Sequence, residues 1–359
     1  MVDLFGEDLA GRRAAVLSYR LGGADGVSVT AAQWALALRR LGMEVRTVAG
    51  EGRPDVLVRG LGLEAGRAPS PRALDAALGD TDVVVVDNVC SLPMNPAAGR
   101  AVAAYLRGRP AVLRHHDLPW ERERYASYTG WPPDDPAWRH VTINEPARHA
   151  LAARGITATT IYHGFADRPR PHAREGLRRM LGVGDRPLVL QPTRAIERKN
   201  IAAGLALAEA LDGVFWLTGP AEDGYAAELA ALLAGARCPV RRRLPLGVDM
   251  AAAYAACDVV VLPSSWEGFG LPLVESALHR RPIAVGDFPV AAEIAAFGFR
   301  WFTPGDVRAL AEFVARPDAR LLDDNESVAR THFGIDALAE RLRLLIAGMA
   351  VRGTERLTA

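Results

Sequence analysis

The sequence has almost no net charge, few cysteines and no long apolar run. Its 43 lysines and arginines nearly balance 42 aspartates and glutamates, so no overall field attracts nucleic acid or an anionic membrane. The three cysteines are widely spaced and lack metal-ligand spacing, which indicates reduced thiols. No signal-like start and no run near the roughly 20 apolar residues of a membrane span occur. We therefore expect a soluble cytoplasmic protein without a nucleic-acid partner, while a peripheral membrane contact stays open.

The pattern along the chain predicts an α/β protein with two domains. A length of 359 residues allows two domains of ordinary size, each with its own core. Short apolar runs alternate with helical stretches rich in alanine and leucine, which favours parallel sheets with helices on both faces.

A strand, loop and helix near residue 260 form the most informative stretch. Three valines at 259–261 predict a buried strand, and Pro272 suits the first turn of the helix that follows. Gly268 and Gly270 allow a ligand to approach the backbone closely. The N–H groups of Gly270 and Leu271 would then meet a phosphate at the helix start.

Two pairs of charged residues accompany this unit. Glu267 and Glu275 are separated by seven residues, so both carboxylates could line one crevice and bind sugar hydroxyls. Earlier in the chain, Arg194 and Lys199 follow a strand at 188–191 and precede a helix. An arginine fork and a lysine point charge at this place suit a diphosphate.

These motifs resemble those of retaining, nucleotide-sugar-dependent glycosyltransferases of the GT-B fold, the family-4 or glycosyl transferases group 1 type. In that family the second Glu holds the ribose, the first lies by the donor sugar, and the intervening amides meet the diphosphate. The family keeps Gly-Arg and Lys-Gly around the basic pair, where this chain has Thr193 and Asn200 in place of the glycines. The resemblance implies these donor-binding residues in the second half: Arg194, Lys199, Glu267, Phe269, Gly270, Leu271 and Glu275.

The first half supplies candidates for the acceptor. A glycine-rich loop at 19–28 follows the first strand; in the family it closes over the donor phosphates or the acceptor, which implies donor binding by Gly23 and acceptor binding by Asp25. Asp87 and Asn88 end a strand at 82–86, where doubly wound sheets bind ligands, although a capping pair is an equal alternative.

His115, His116 and Asp117 end the next predicted strand. Adjacent histidines point in different directions, so a shared metal is not expected. The position resembles the one where the family keeps a His near the reacting sugar; we assign His116 to it, with His115 as the alternative. Trp120 belongs to an aromatic cluster that could stack on sugars or pack in a core. We therefore count His115, Asp117 and Trp120 as acceptor-binding candidates.

The resemblance implies a GT-B architecture of two Rossmann-like domains facing across a cleft. Residues 1–168 would bind the acceptor, residues 169–335 the nucleotide sugar, and a terminal helix at 336–359 would pack back on the first domain.

The implied reaction moves a sugar from a nucleoside-diphosphate sugar to a hydroxyl of a sugar, polyol or other small molecule, with retention. The catalytic candidates are His116, Arg194, Lys199 and Glu267. We see no Asp-x-Asp metal pair of the kind that metal-dependent transferases carry, so we expect no metal and no cofactor, with UDP or GDP on the donor. A nucleotide-sugar 2-epimerase and a non-catalytic nucleotide- or carbohydrate-binding protein are the alternatives.

Overall fold

The computed structural model describes residues 9–23, 25–166 and 174–354, and it divides into two compact units. The first unit extends to Ala166 and resumes at Phe333, and the second lies between them and ends at His332. The sequence analysis proposed boundaries at 168 and 335. Each unit contains one parallel sheet, so the predicted α/β class is confirmed.

The sheet of the first unit has the strand order β3-β2-β1-β4-β5-β6-β7, and that of the second has the order β10-β9-β8-β11-β12. All recorded pairings are parallel, as expected for strands joined by helical crossovers. In the described residues the strands are β1 Arg13–Leu21, β2 Glu44–Gly52, β3 Val56–Leu57, β4 Val83–Asp87, β5 Ala111–His115, β6 Trp138–Thr142, β7 Ala158–Thr160, β8 Leu188–Gln191, β9 Val214–Leu217, β10 Val240–Arg242, β11 Val259–Leu262 and β12 Ile283–Val285.

Helices connect and cover these strands. The described α-helices are α1 Gly26–Arg40, α2 Pro71–Leu78, α3 Pro96–Leu106, α4 Glu145–Ala152, α5 Arg174–Leu181, α6 Ile201–Ala210, α7 Ala226–Ala234, α8 Met250–Ala256, α9 Leu271–Leu278, α10 Pro289–Ala295, α11 Val307–Ala315, α12 Ala319–Phe333 and α13 Ile335–Thr354. Within the described part of the chain, none of them is long and apolar enough to cross a bilayer.

Asp25, one of the predicted acceptor-binding residues, is the N-cap of α1. The backbone N–H and the hydroxyl of Ser28 both donate to its carboxylate. The sequence analysis located no helix at the positions of α3, α8 and α12.

The C-terminal helix completes the core of the first unit. Leu338 and Leu342 on α13 are buried in the same apolar cluster as Trp34 and Leu38 on α1 and strand residues from the centre of the sheet. The chain also pairs directly where it re-enters this unit, because the N–H of Phe165 donates to the carbonyl of Phe333. The helix is therefore an integral part of the first unit's core.

We expect Leu338→Ala to destabilise the first unit by about 2–5 kcal/mol, because it leaves a cavity at a fully buried position. Native-state hydrogen exchange should show lost protection in β1 and β4, with β8 and β11 unchanged. Leu344→Ala is the matched control, since the same residue type on the same helix is exposed there. Equal effects of the two substitutions would contradict this role of α13.

Candidate functional site

The carboxyl ends of two neighbouring strands bring together the charged residues of the second unit. Strands β8 and β11 are hydrogen-bonded neighbours, and each is followed by a loop that leads into a helix. Lys199 lies in the loop after β8, and Glu267 lies in the loop after β11. Open parallel sheets bind their ligands at this edge.

Glu267 and Lys199 form a buried ion pair. Only 6% of Glu267 and 8% of Lys199 is exposed, and the Lys199 ammonium bonds directly to Oε1 of Glu267. Ser264 donates its hydroxyl to the same oxygen at 2.6 Å, and Nη1 of Arg198 donates to Oε2 at 3.2 Å. Both carboxylate oxygens are thus held by donors from the two loops.

Together with Arg198, the pair carries an excess of positive charge. Burial lowers the pKa of Lys199, and the Arg198 charge lowers it further, while the Glu267 carboxylate opposes both. One carboxylate therefore faces two cations, which leaves a net attraction for an anion. A diphosphate is an anion that would complete this balance.

Arg194 lies nearer the surface than Lys199. Its Nη1 donates to Glu222 at 2.6 Å, and both side chains are roughly half exposed. An exposed ion pair of this kind contributes about 0–1 kcal/mol, so a ligand phosphate can replace Glu222 at little cost.

The start of α9 provides backbone donors. Gly270 has φ of 85°, and an added Cβ would press on Leu262 and Leu273 at 3.3 and 3.2 Å, so a glycine is required here. No side chain caps this helix start, which suits an anion at Gly270 and Leu271. The Phe269 side chain is buried, so its predicted donor contact can come only from its backbone.

Asn200 occupies a position where the resembled family keeps a glycine, and it can adopt the backbone conformation that this position requires. Its backbone is left-handed, with φ of 46°, and asparagine tolerates this region better than most residues. Its side chain also accepts a hydrogen bond from the N–H of Ala203 and caps α6. The substitution therefore preserves the loop that carries Lys199.

Glu275 lies one turn into α9 and is partly buried. Its Oε2 accepts a hydrogen bond of 2.7 Å from the hydroxyl of Tyr254, a residue of α8. The second unit thus contains the predicted donor-side residues that follow β8 and β11 and the one that lies on α9.

A second buried carboxylate lies in the first unit. Asp87 is fully buried at the end of β4; its Oδ1 lies 2.6 Å from Nε2 of His116, and its Oδ2 lies 3.0 Å from Nη1 of Arg114. The other guanidinium arm of Arg114 lies 2.7 Å from Nδ1 of His163. Burial alone would raise the pKa of Asp87, but the charges of Arg114 and His116 together lower it. Asp87 is therefore not available for the predicted binding of an acceptor and instead holds His116.

The neighbouring histidine points elsewhere. Nε2 of His115 lies 2.9 Å from Nδ1 of His140, whose Nε2 lies 3.0 Å from Asp134, and the two imidazole rings stack. Only 1% of His115 is exposed, so the structure does not support its predicted contact with an acceptor.

The remaining acceptor candidates differ in what they can offer. Asn88 has a left-handed backbone with φ of 66°, and its buried Oδ1 has no partner among the described residues, so it can still receive a hydrogen bond. Asp25 is occupied as the cap of α1, and Asp117 accepts a hydrogen bond of 2.7 Å from Arg122.

Trp120 and Gly23 have different outcomes. The guanidinium of Arg154 lies over the ring of Trp120, 3.6 Å from its centre, so the predicted use of Trp120 as a platform for a sugar is corrected. Gly23 lies in the exposed loop after β1 and stays a prediction.

One Asp-x-Asp triplet, Asp80-Thr81-Asp82, is present after all. It precedes β4, at the edge of the sheet opposite to His116. Asp80 pairs with Arg13 and Arg46, and Asp82 accepts a hydrogen bond from the backbone of Arg13. These carboxylates therefore tie the amino ends of the strands together, away from the ligand edge.

The sequence analysis missed several residues of the two sites. Arg198 could have been suspected because it adjoins Lys199, and Ser264 because it precedes Glu267 by three residues. Nothing in the linear pattern marked the others, whose partners come from distant segments. They are Tyr254 on α8, Arg114 on β5, His140 on β6 and His163 after β7.

We expect the protein to lose stability as the pH falls from about 7 to about 5. Burial lowers the pKa of His115, His140 and His163, so below the ordinary value of about 6.5 the unfolded chain binds more protons than the folded chain. The stabilisation is complete above that value and is lost below it. Glu121, whose pKa burial raises to about 7, acts in the opposite direction but is one group against three.

Urea unfolding at both pH values measures this dependence. Replacing buried His115 by Asn should weaken it, whereas His149→Gln, on an exposed face of α4, should leave it unchanged. Equal unfolding free energies at the two pH values would show that these histidines do not control acid stability.

Known proteins share both sequence and fold with this chain. Residues 177–331 match the family described as glycosyl transferases group 1. The mannosylglucosylglycerate synthase of Thermotoga maritima is 24% identical over 382 aligned positions, which cover 86% of this chain and 89% of that protein. The serotype-specific mannosyltransferase WbdA of Escherichia coli is 39% identical over 70 residues, 18% of this chain and 9% of that protein.

Solved structures share the architecture of almost the whole chain. HepE of Anabaena, in complex with UDP and glucose, has a TM-score of 0.67 at 19% identity and covers 94% of this chain and 100% of its own. The sucrose-phosphate synthase of Thermosynechococcus elongatus has a TM-score of 0.69 at 16% identity, and the match covers 95% of this chain and 100% of that protein. The predicted GT-B fold is thereby confirmed. The second unit carries the match to the group 1 glycosyltransferases.

Proposed function

We propose that this enzyme transfers a sugar from a nucleoside-diphosphate sugar to a hydroxyl acceptor, with retention of configuration and without a divalent metal. The observation that carries the proposal is the buried Lys199–Glu267 pair beside the uncapped start of α9. It combines fixed positive charge with free backbone donors at one edge of the second unit.

The charges match what the reaction requires. When the bond between the sugar and the diphosphate breaks, negative charge develops on the departing phosphate oxygen. Lys199, Arg194 and the N–H groups of Gly270 and Leu271 are the donors available for that charge. Because these groups are fixed before the reaction, they supply the stabilisation that a divalent metal gives in other transferases.

Retention is inferred from the resemblance to the retaining family, and the way Glu267 is held argues against a covalent sugar intermediate on it. A carboxylate whose two oxygens accept bonds from Lys199, Ser264 and Arg198 is a weak nucleophile. Glu267 therefore orients the donor sugar, and the departing phosphate oxygen takes the proton of the acceptor hydroxyl on the same face. In the first unit, Asp87 holds His116, the histidine that the resemblance implicates, in one orientation.

The comparisons suggest which substrates to examine first. HepE was solved with UDP-glucose, whereas one curated relative is named a mannosylglucosylglycerate synthase and another a mannosyltransferase. Glucose and mannose on UDP and GDP are therefore the first donors. Glucosylglycerate is the first acceptor, since it is what remains of the relative's named product without its mannosyl group.

Product analysis with these substrates tests the proposal. We expect an α-linked product from an α-linked donor, release of the nucleoside diphosphate, and unchanged activity with excess EDTA. Inverted product or loss of activity in EDTA would overturn retention or metal independence. Conversion of the nucleotide sugar without any acceptor would instead favour the 2-epimerase, and binding without release of the diphosphate a non-catalytic protein.

Lys199→Ala and Arg194→Ala should each lower kcat by on the order of 10²-fold, because each removes charge stabilisation that grows as the bond breaks. Arg237→Ala is the control, since Arg237 forms an exposed ion pair with Glu209 elsewhere in the same unit. Circular dichroism of the Arg194 variant should stay native, because its ion pair with Glu222 is exposed. Loss of the fold in the Arg194 variant, or unchanged kcat in both variants, would assign these residues a structural role.

Glu275→Ala should weaken binding of the nucleoside diphosphate by roughly 1.5–3 kcal/mol, because a ribose-binding carboxylate makes charge-assisted hydrogen bonds. Isothermal titration calorimetry measures the change, and Glu312→Ala on the exposed face of α11 is the control. The same affinity in both variants would rule out the ribose contact.

A further inference from the structure

Tyr254 is a buried hydroxyl that the mechanism above does not use. It lies in the last turn of α8, directly before β11, and only 1% of it is exposed. Its hydroxyl lies 2.7 Å from Oε2 of Glu275. The contact joins a residue of α8 to the carboxylate that the proposed function assigns to the ribose.

The hydrogen bond has a fixed direction. Burial raises the pKa of Tyr254 well above its ordinary value, and the nearby Glu275 raises it further. The phenol therefore stays protonated at any pH where the enzyme works, so it donates and the Glu275 oxygen accepts.

Other contacts hold the Tyr254 ring in place. The imidazole of His279 stacks on it, with ring centres 4.9 Å apart, and Nδ1 of the same imidazole lies 2.8 Å from the carbonyl oxygen of Glu275. Nε of Arg281 donates to the carbonyl of Tyr254 at 2.8 Å. The ring, the carbonyl and the hydroxyl of Tyr254 thus all contact residues on or directly after α9.

We propose that Tyr254 is a positioning residue that fixes the Glu275 carboxylate for the ribose 2′-hydroxyl, so that the enzyme selects ribonucleoside over 2′-deoxyribonucleoside diphosphate sugars. This rests on the proposed function of Glu275. A glutamate side chain has three rotatable bonds, and a carboxylate fixed beforehand loses less conformational freedom when the ligand binds. A ligand without the 2′-hydroxyl cannot donate that charge-assisted hydrogen bond to the carboxylate, and a site built to bind a hydroxyl discriminates against the analogue that lacks it.

Calorimetric titration with UDP, GDP and their 2′-deoxy counterparts tests the proposal. The wild-type protein should bind the ribonucleotide more tightly than the deoxynucleotide. Tyr254→Phe, which removes one oxygen, should weaken ribonucleotide binding on the order of fivefold to tenfold and leave deoxynucleotide binding nearly unchanged. A merely structural role would weaken both ligands equally, and that result would overturn the proposal.

A double-mutant cycle shows whether Tyr254 acts through Glu275. In the Glu275→Ala background, Tyr254→Phe should have no additional effect on ribonucleotide binding, whereas additive losses would contradict positioning. Tyr225→Phe is the matched control, because its hydroxyl bonds to Glu228 in the same unit and should not affect binding.

The proposal and the function on which it rests fail in different ways. If Glu275→Ala does not change ribonucleotide affinity, the ribose assignment itself is wrong. If Glu275→Ala weakens binding but Tyr254→Phe does not, only the positioning role is wrong. Equal affinity of the wild-type protein for ribose and deoxyribose ligands overturns the selectivity without any variant.

Discussion

The buried Glu267 carboxylate constrains the whole ligand edge of the second unit. A charge out of water is tolerated only when partners surround it, and removing one partner of such a pair typically costs about 3–5 kcal/mol. Lys199 and Arg198 come from the loop after β8, while Ser264 comes from the loop that also carries Glu267. Satisfying one carboxylate therefore fixes two loops relative to each other, and with them the start of α9.

The first unit uses the same device at its own strand ends. Asp87 is buried between Arg114 and His116, and the guanidinium of Arg114 also lies over the ring of Trp34, 4.6 Å from its centre. The charge network is thereby joined to the apolar core that α1 and α13 share. In both units a buried carboxylate orients a basic side chain at the carboxyl ends of parallel strands.

The fold and the donor side could be predicted because their signals are local. A strand, a glycine-rich loop and a helix place Glu267, Gly270 and Glu275 at fixed spacings, so linear order is enough. The predicted acceptor contacts of Asp87 and His115 were wrong because each side chain is buried against a neighbouring strand. Asp87 on β4 pairs with Arg114 on β5, and His115 on β5 contacts His140 on β6. Burial at a strand end is a tertiary property that no short sequence window contains.

The missed helices have equally physical reasons. Helix α8 has only seven residues, five of them alanine, so it shows no amphipathic period. Helix α12 is polar over much of its length and lacks a wide apolar stripe. Helix α3 did carry a usable signal, since Asn95 caps it and Pro96 occupies its first position. The Tyr254 contact to Glu275 could not be foreseen without α8.

The discontinuous first unit has a consequence for how the protein is made. Ribosomes synthesise a chain from its amino terminus to its carboxyl terminus. Domains generally fold as units as they leave the ribosome. The second unit, between Ala166 and Phe333, is complete before α13 has been synthesised. Until then the apolar surface of α1 around Trp34 and Leu38 lacks its covering helix. The half that is translated first is therefore the half that finishes folding last, and during that interval it is the part of the chain most in need of a chaperone.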